Sequence, residues 1–149
     1  MPQTSYSPSS TILNATVANL RRHMPFDQMD VAHIQYLAAH LTLNYFAKGA
    51  TILSPTHGAV ASVWIVERGA VGGVSGYLTD DPLFTLHEGE MFPIGAAMSE
   101  RASVCTYLAD TDTFCYVLPL AAFEHAMDVS RPFRHFATRR LAHLLDQSR

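Results

Sequence analysis

Apolar side chains recur at helical spacing before residue 41 and after residue 119, and at alternate positions between. Ile12, Val17 and Leu20 mark a first helix, which Pro25 ends because a proline ring cannot continue one. Asp30 is the expected N-cap of a second helix, whose Ile34, Leu37, Ala38 and Leu41 fall on one face. The period then drops to two. Leu41, Leu43 and Tyr45 alternate with Thr42 and Asn44, and Lys48-Gly49 turns the chain into Thr51-Ile52-Leu53.

Val63-Trp64-Ile65-Val66 is a compact apolar strand, and Glu67-Arg68-Gly69 is the expected turn of a hairpin into Ala70-Val71-Gly72-Gly73-Val74. The glycine pair lacks the third glycine and the strand-to-helix setting of a dinucleotide fingerprint, so a barrel turn or bulge is expected there. A polar turn at Thr79-Asp80-Asp81-Pro82 leads to Leu83, Phe84 and Leu86, and His87-Glu88-Gly89-Glu90 turns the chain again. Residues 103–108 and 113–118 form a last strand pair; centred on Asp110, it would set Cys105 opposite Cys115. Alternation assigns Tyr45, Trp64, Phe84 and Phe114 to the core rather than to purine stacking.

Helical period returns with Leu120, Phe123 and Met127, and Ser130 before Arg131-Pro132 signals another start. Phe133, Phe136, Ala137, Leu141, Leu144 and Leu145 make a stripe suited to the barrel, a second copy or a following domain. The pattern runs to Arg149 without a C-cap, as expected of a piece of a longer protein. Together these elements predict a mainly β domain with flanking helices: an antiparallel jelly roll, or double-stranded β-helix, with N- and C-terminal α-helices. Residues 1–10, rich in Ser and Pro, read as a flexible tail, and 11–149 as the domain.

Composition narrows the function classes. With 149 residues, 48% hydrophobic and 15% charged, the chain can build one core. A net charge of −3 gives no basic face for a nucleic-acid backbone, and Arg134, Arg139 and Arg140 read as a solvated helix face. No apolar run approaches the roughly 20 residues that span a bilayer, so no membrane partner and a cytoplasmic location are expected. Two cysteines are too few for a disulfide scaffold and read as buried free thiols. His57 and His87 are isolated in turns, while His135, Arg139 and His143 share a four-residue spacing. These read as surface residues rather than metal ligands. Ser103, Cys105 and Thr106 have no base at a recognisable spacing, so no catalytic residue and no enzyme are expected.

Three segments, Tyr45-Phe46-Ala47-Lys48-Gly49-Ala50-Thr51-Ile52-Leu53, Val63-Trp64-Ile65-Val66-Glu67-Arg68-Gly69-Ala70-Val71 and Leu86-His87-Glu88-Gly89-Glu90-Met91-Phe92, resemble the cyclic nucleotide-binding domain. That domain is the effector half of the catabolite activator protein and of protein kinase A regulatory subunits. The resemblance covers residues from Leu20 onward. Phe92-Pro93-Ile94-Gly95-Ala96, Arg139-Arg140-Leu141 and Leu144-Leu145-Asp146-Gln147-Ser148-Arg149 resemble a bacterial subgroup. In it the domain precedes cystathionine-β-synthase-type (CBS) modules and a nucleotidyltransferase-like region.

The resemblance implies a ligand segment at residues 92–103, where a short helix offers backbone N–H groups and one arginine to a phosphate. Gly89, Glu90, Phe92 and Ala96 fit the family pattern, and Gly95, Arg101 and Ser103 complete the candidate ligand-binding set. Pro93 stands where the family usually has glycine, and Ile94 where a glutamate grips the ribose 2′-hydroxyl. Arg101 lies one residue before the family's position, so it either swings to a phosphate or pairs with Glu100 on the surface.

The expected function is a regulatory, ligand-sensing domain. It binds a small phosphorylated effector, with cyclic AMP and cyclic GMP as candidates and no other cofactor, and passes the signal to downstream domains of the same polypeptide. The alternative is a domain that has lost its ligand and serves as a dimerisation or docking module, with a homodimer formed through the C-terminal helix. An open pocket with Arg101 inward marks the first; filling by Met91, Ile94 or Met98 marks the second.

Overall fold

A computed structural model describes residues 8–74 and 83–147. Two helices, α1 (Pro8–Leu20) and α2 (Val31–His40), precede the strands. α1 starts three residues inside the segment read as a tail, since Pro8 takes the first helical position, where its missing N–H costs nothing. Asp30 does stand at the N-cap of α2, but only through its carbonyl, which accepts from the amides of His33 and Ile34.

Eight strands follow: β1 (Thr42–Phe46), β2 (Thr51–Leu53), β3 (Ser62–Arg68), β4 (Val71–Val74), β5 (Phe84–Leu86), β6 (Met91–Phe92), β7 (Thr106–Ala109) and β8 (Thr113–Pro119). They form two antiparallel four-stranded sheets, ordered β1-β8-β3-β6 and β2-β7-β4-β5. Strand pairs nest as β1 with β8, β2 with β7, β3 with β6 and β4 with β5, the pairing of a long ribbon rolled into a jelly roll.

This topology corrects two expectations. β3 and β4 are not a hairpin: β3 lies between β8 and β6, β4 between β7 and β5, and Gly69 carries the chain from one sheet to the other. β7 and β8 likewise belong to different sheets, so Cys105 does not face Cys115. Cys115 sits between Asn44 of β1 and Val66 of β3 instead. Both cysteines are free and buried. Successive strands cross sheets because the corners interlock. The Ala70 carbonyl accepts from the Asp110 amide at 2.8 Å and the Thr113 hydroxyl at 3.0 Å, and the Lys48 amide donates to Asp112 Oδ1 at 2.9 Å. The polar turn expected at 79–82 lies outside the described residues.

Gly72 and Gly73 are neither turn nor bulge; they occupy the middle of β4. Gly73 pairs with Phe84 of β5, and a Cβ there would meet the Phe84 ring at 2.3 Å, so the bare backbone is what lets that ring lie across the strand. The four aromatics assigned to the core are not buried there. Tyr45 is exposed and pairs with half-buried Phe114 at 5.2 Å, while Trp64 and Phe84 are half-buried against the core edge. No side chain of β1 is buried, so Leu43 and Tyr45 lie outside the core despite their alternation.

Helices α4 (Leu120–Val129) and α5 (Arg131–Gln147) close the chain. Ser130 joins them as expected: its hydroxyl accepts from the Phe133 amide at 3.3 Å and its carbonyl from the Arg134 amide. Arg134 is not merely solvated, because its guanidinium caps the end of α4 through the Met127 carbonyl at 2.7 Å. Phe133 and Ala137 are fully buried, and Phe133 packs on Phe26 of the Phe26–Gln28 turn and on Phe123 of α4, so the first half of α5 is seated among the other helices. Asn19 ties α1 to the same body through Tyr116 of β8 at 3.2 Å. Among the described residues no helix is long and apolar enough to cross a membrane.

Burial pushes the Cys115 thiol from 9.0 up to about 12. Below pH 9 both folded and unfolded states hold the proton. Above it the unfolded chain ionises first, so stability should fall as pH rises through the window from 9 to about 12. Denaturant midpoints of the wild-type chain against Cys115→Ala measure this: the wild type should lose more stability across that window. At neutral pH a thiol reagent should label Cys115 only on unfolding.

Candidate functional site

The segment between β6 and β7 builds the site. Pro93 stands at the N-cap of α3 (Ile94–Ser99), whose fourth amide, Ala97, donates back to the Pro93 carbonyl at 3.1 Å. The amides of Ile94, Gly95 and Ala96 precede that first helical bond. α3 ends on Glu100, held in the left-handed region at φ 54°, and the Arg101 amide reaches back to the Ala96 carbonyl at 3.1 Å. This turn sends Arg101 back along α3. A Cβ on Gly95 would stand 3.4 Å from Arg101 Nη2 and 3.4 Å from Leu141 Cδ1, so glycine here lets α3, Arg101 and α5 converge.

Arg101 is not paired with Glu100. Its Nη1 donates to the Ala102 carbonyl at 3.2 Å, and its backbone is fixed by the Val60 amide donating to the Arg101 carbonyl at 3.1 Å. The side chain is solvent-accessible at the edge of a cleft of about 670 Å³. The walls come from β5 and β6 on one side, α3 on another and the second half of α5 above. No carboxylate lines the cleft among the described residues, and Arg101, Arg140 and His143 are its basic side chains. Tyr107 forms the floor, stacked on Phe92 at 4.6 Å and edge-on to Phe84 at 6.0 Å. Burial and the Cys105 thiol hold its phenol far above the ordinary tyrosine range, while the Arg101 guanidinium opposes them.

Of the candidate ligand residues, Phe92, Gly95, Ala96, Arg101 and Ser103 all border this cleft. The Ser103 hydroxyl is already occupied: it donates to the Cys105 carbonyl at 2.6 Å and accepts from the Cys105 amide. Gly89 and Glu90 lie elsewhere, on a second hollow of about 310 Å³ beside Arg22 and His23. Gly89, at φ 90°, lets the His23 ring come within 2.4 Å of where a Cβ would be. Glu90 Oε2 accepts from the His87 amide at 2.8 Å, and Oε1 meets Arg140 of α5 at 3.0 Å. Arg140 borders both hollows. Arg140 is thus not on a merely solvated face: it falls within the apolar stripe, between Ala137 and Leu144, and a charge interrupting that stripe is the sequence signal for its role. Ile94 is buried at 2% exposure and presents hydrocarbon to the cleft.

No family profile matches the chain, and no curated protein matches it in sequence. Solved structures do match. The regulatory domain of Toxoplasma gondii protein kinase A with cyclic AMP superposes with a TM-score of 0.77 at 17% identity, covering 90% of this chain and 51% of that one. The sensor domain of the Pseudomonas aeruginosa transcriptional regulator DNR superposes with a TM-score of 0.74 at 17% identity, covering 91% and 92%. The fold is the cyclic-nucleotide-binding jelly roll. A regulatory subunit of a cyclic-AMP-independent protein kinase A from Trypanosoma cruzi, bound to guanosine, shares it with a TM-score of 0.76 at 16% identity, covering 89% and 47%. The chain therefore spans about half the length of both kinase regulatory chains. Within the cyclic-nucleotide-binding jelly roll, the cleft here lies between β5, α3 and α5.

Proposed function

We propose that the chain is a non-catalytic regulatory domain that senses a small phosphorylated ligand in the α3–α5 cleft. The observation that carries this reading is the cleft itself: about 670 Å³, unfilled by Met91, Ile94 or Met98, free of carboxylates, and bordered by an arginine without an acidic partner. A phosphate would meet the Arg101 guanidinium and the first amides of α3, and an apolar or aromatic body would rest on Tyr107 and Phe92. Cyclic AMP and cyclic GMP are the candidates, and guanosine, the nucleoside that the Trypanosoma cruzi neighbour holds, is the phosphate-free comparison. Ile94 offers no acceptor to a ribose 2′-hydroxyl, so this reading assigns recognition to the anion and the base rather than to the sugar. Occupancy would bias α5, which roofs the cleft, and so reach downstream domains. The resemblance of residues 92–96 and 139–149 makes CBS and nucleotidyltransferase-like regions the receivers we propose, in the cytoplasm.

Calorimetric titration with cyclic AMP, cyclic GMP and guanosine tests it. Saturable binding is expected, weakened about 10- to 100-fold by Arg101→Ala for the phosphorylated ligands, the worth of a charge-assisted hydrogen bond. No heat at millimolar ligand overturns it.

One observation favours a second reading, a docking module. Leu83, Val104 and Leu145, at 66%, 76% and 60% exposure, rim the cleft with hydrocarbon. That reading requires concentration-dependent dimerisation in sedimentation that a Val104→Asp substitution abolishes.

A further inference from the structure

Arg140 stands at a boundary. On one side its guanidinium meets Glu90, on the corner between β5 and β6; on the other it borders the ligand cleft. The helix that carries it is anchored unevenly. Phe133 and Ala137 are fully buried, Phe136 and Leu141 half-buried, and Leu145 is 60% exposed. The second half of α5 thus covers the cleft without being embedded in the core. In that half, Arg140–Glu90 is the ion pair that ties α5 to the barrel among the described residues.

We propose that Glu90–Arg140 is a latch, and that an anion entering the cleft takes Arg140 away from Glu90, so that the ligand's own charge shifts the roof helix. This rests on the sensing role assigned to the cleft and supplies its relay. Three features make the exchange favourable. The pair is a third exposed on each side, 33% and 34%, so water and salt weaken it. An anionic phosphate among apolar walls, in a cleft that no carboxylate lines among the described residues, is the stronger partner for a guanidinium. Glu90 is not stranded when Arg140 leaves, since its Oε2 keeps the His87 amide at 2.8 Å. The movement needs no unfolding, because α5 can pivot where Ala137 fixes it and swing its last turns toward the cleft.

The experiment combines hydrogen exchange on the ligand-free chain with cyclic AMP titration, for the wild type, Glu90→Gln and Arg140→Gln. Both variants should speed amide exchange across residues 139–147. Affinity should then diverge: Glu90→Gln frees Arg140 and tightens binding about two- to fivefold, the range of an exposed pair, while Arg140→Gln weakens it at least fivefold. Arg140→Lys, which keeps the charge, should lie between Arg140→Gln and the wild type in affinity and so guards against a misfolded variant. Unchanged exchange in Glu90→Gln overturns the latch. Affinity moving in one direction for both variants overturns the transfer of Arg140. If the wild type binds no cyclic nucleotide, the sensing role falls and the transfer with it, whereas faster exchange in both variants would still support the latch.

Discussion

Phe133→Ala should lower the free energy of unfolding by about 3–5 kcal/mol, a large share of the roughly 5–15 kcal/mol that holds such a domain together. Phe133 has no exposed surface, and its ring is the meeting point of three elements. It lies 6.3 Å from Phe26, in the short turn of Phe26–Gln28, and 5.6 Å edge-on from Phe123 of α4. Truncation removes the ring from between two others that cannot close the gap without moving α1–α2 against α4. The amide of Phe133 also takes the Ser130 cap, so the start of α5 loses definition as its anchor goes. Urea titration followed by far-ultraviolet circular dichroism checks the magnitude. Phe133→Leu, which leaves most of the apolar contact, should cost distinctly less. A loss below about 1 kcal/mol for the alanine variant would mean that the ring is not an anchor.

The helical stripe from Phe133 to Leu145 was legible in the sequence, because a period of 3.6 is a local property that one helix expresses alone; which members become buried was not, as Phe133 is fully buried and Leu145 is 60% exposed. Most strand positions were legible for the same reason, but residues 103–105, expected as strand, lie before β7, and the two-residue β6 was too short to show alternation. Strand partners were not legible. Alternating segments joined by a short glycine turn satisfy the local rule for a hairpin whether the turn closes one or crosses between sheets. Only the long-range ties at Ala70 and Asp112 distinguish the two, and they pair residues more than 40 positions apart. β1 shows the same limit: Leu43 and Tyr45 alternate as core residues do, yet they are exposed, because burial depends on what covers the face of the sheet they stand on, and alternation does not encode that.

The site divides along similar lines. Phe92, Gly95, Ala96, Arg101 and Ser103 meet at one cleft because they lie on one continuous strand, helix and turn. Glu90, only two residues earlier, turns away to Arg140, a partner 50 positions later. Whether a carboxylate faces a ligand or an arginine of the same chain depends on where α5 returns, and no spacing within 89–103 encodes that.

Gly69→Ala should be the other severe substitution, costing about 2–5 kcal/mol from a strained backbone plus overpacking. Gly69 has φ 104°, a region an alanine side chain resists. Its Cβ would also stand 2.6 Å from Thr113 Oγ1, 2.7 Å from the Asp112 carbonyl and 3.0 Å from Thr113 Cα. Two of these three contacts are backbone, so relief requires shifting the start of β8, which is bonded to both β1 and β3. The corner cannot simply open either, because Ala70, the next residue, accepts the Asp110 amide and the Thr113 hydroxyl through its carbonyl. Removing the Thr113 side chain in a Gly69→Ala/Thr113→Ala double variant should therefore fail to rescue stability, since the backbone clashes remain and a buried hydrogen bond is lost. By contrast Gly49→Ala, at φ 88° with nothing within 4 Å of its Cβ, isolates the conformational part and should cost only about 1–2 kcal/mol. The difference between the two alanine variants, read as denaturant midpoints under the same conditions, measures how tightly the sheet-crossing corners of β3–β4 and β7–β8 are locked together. Equal costs at Gly69 and Gly49 would show that the two corners are not in contact.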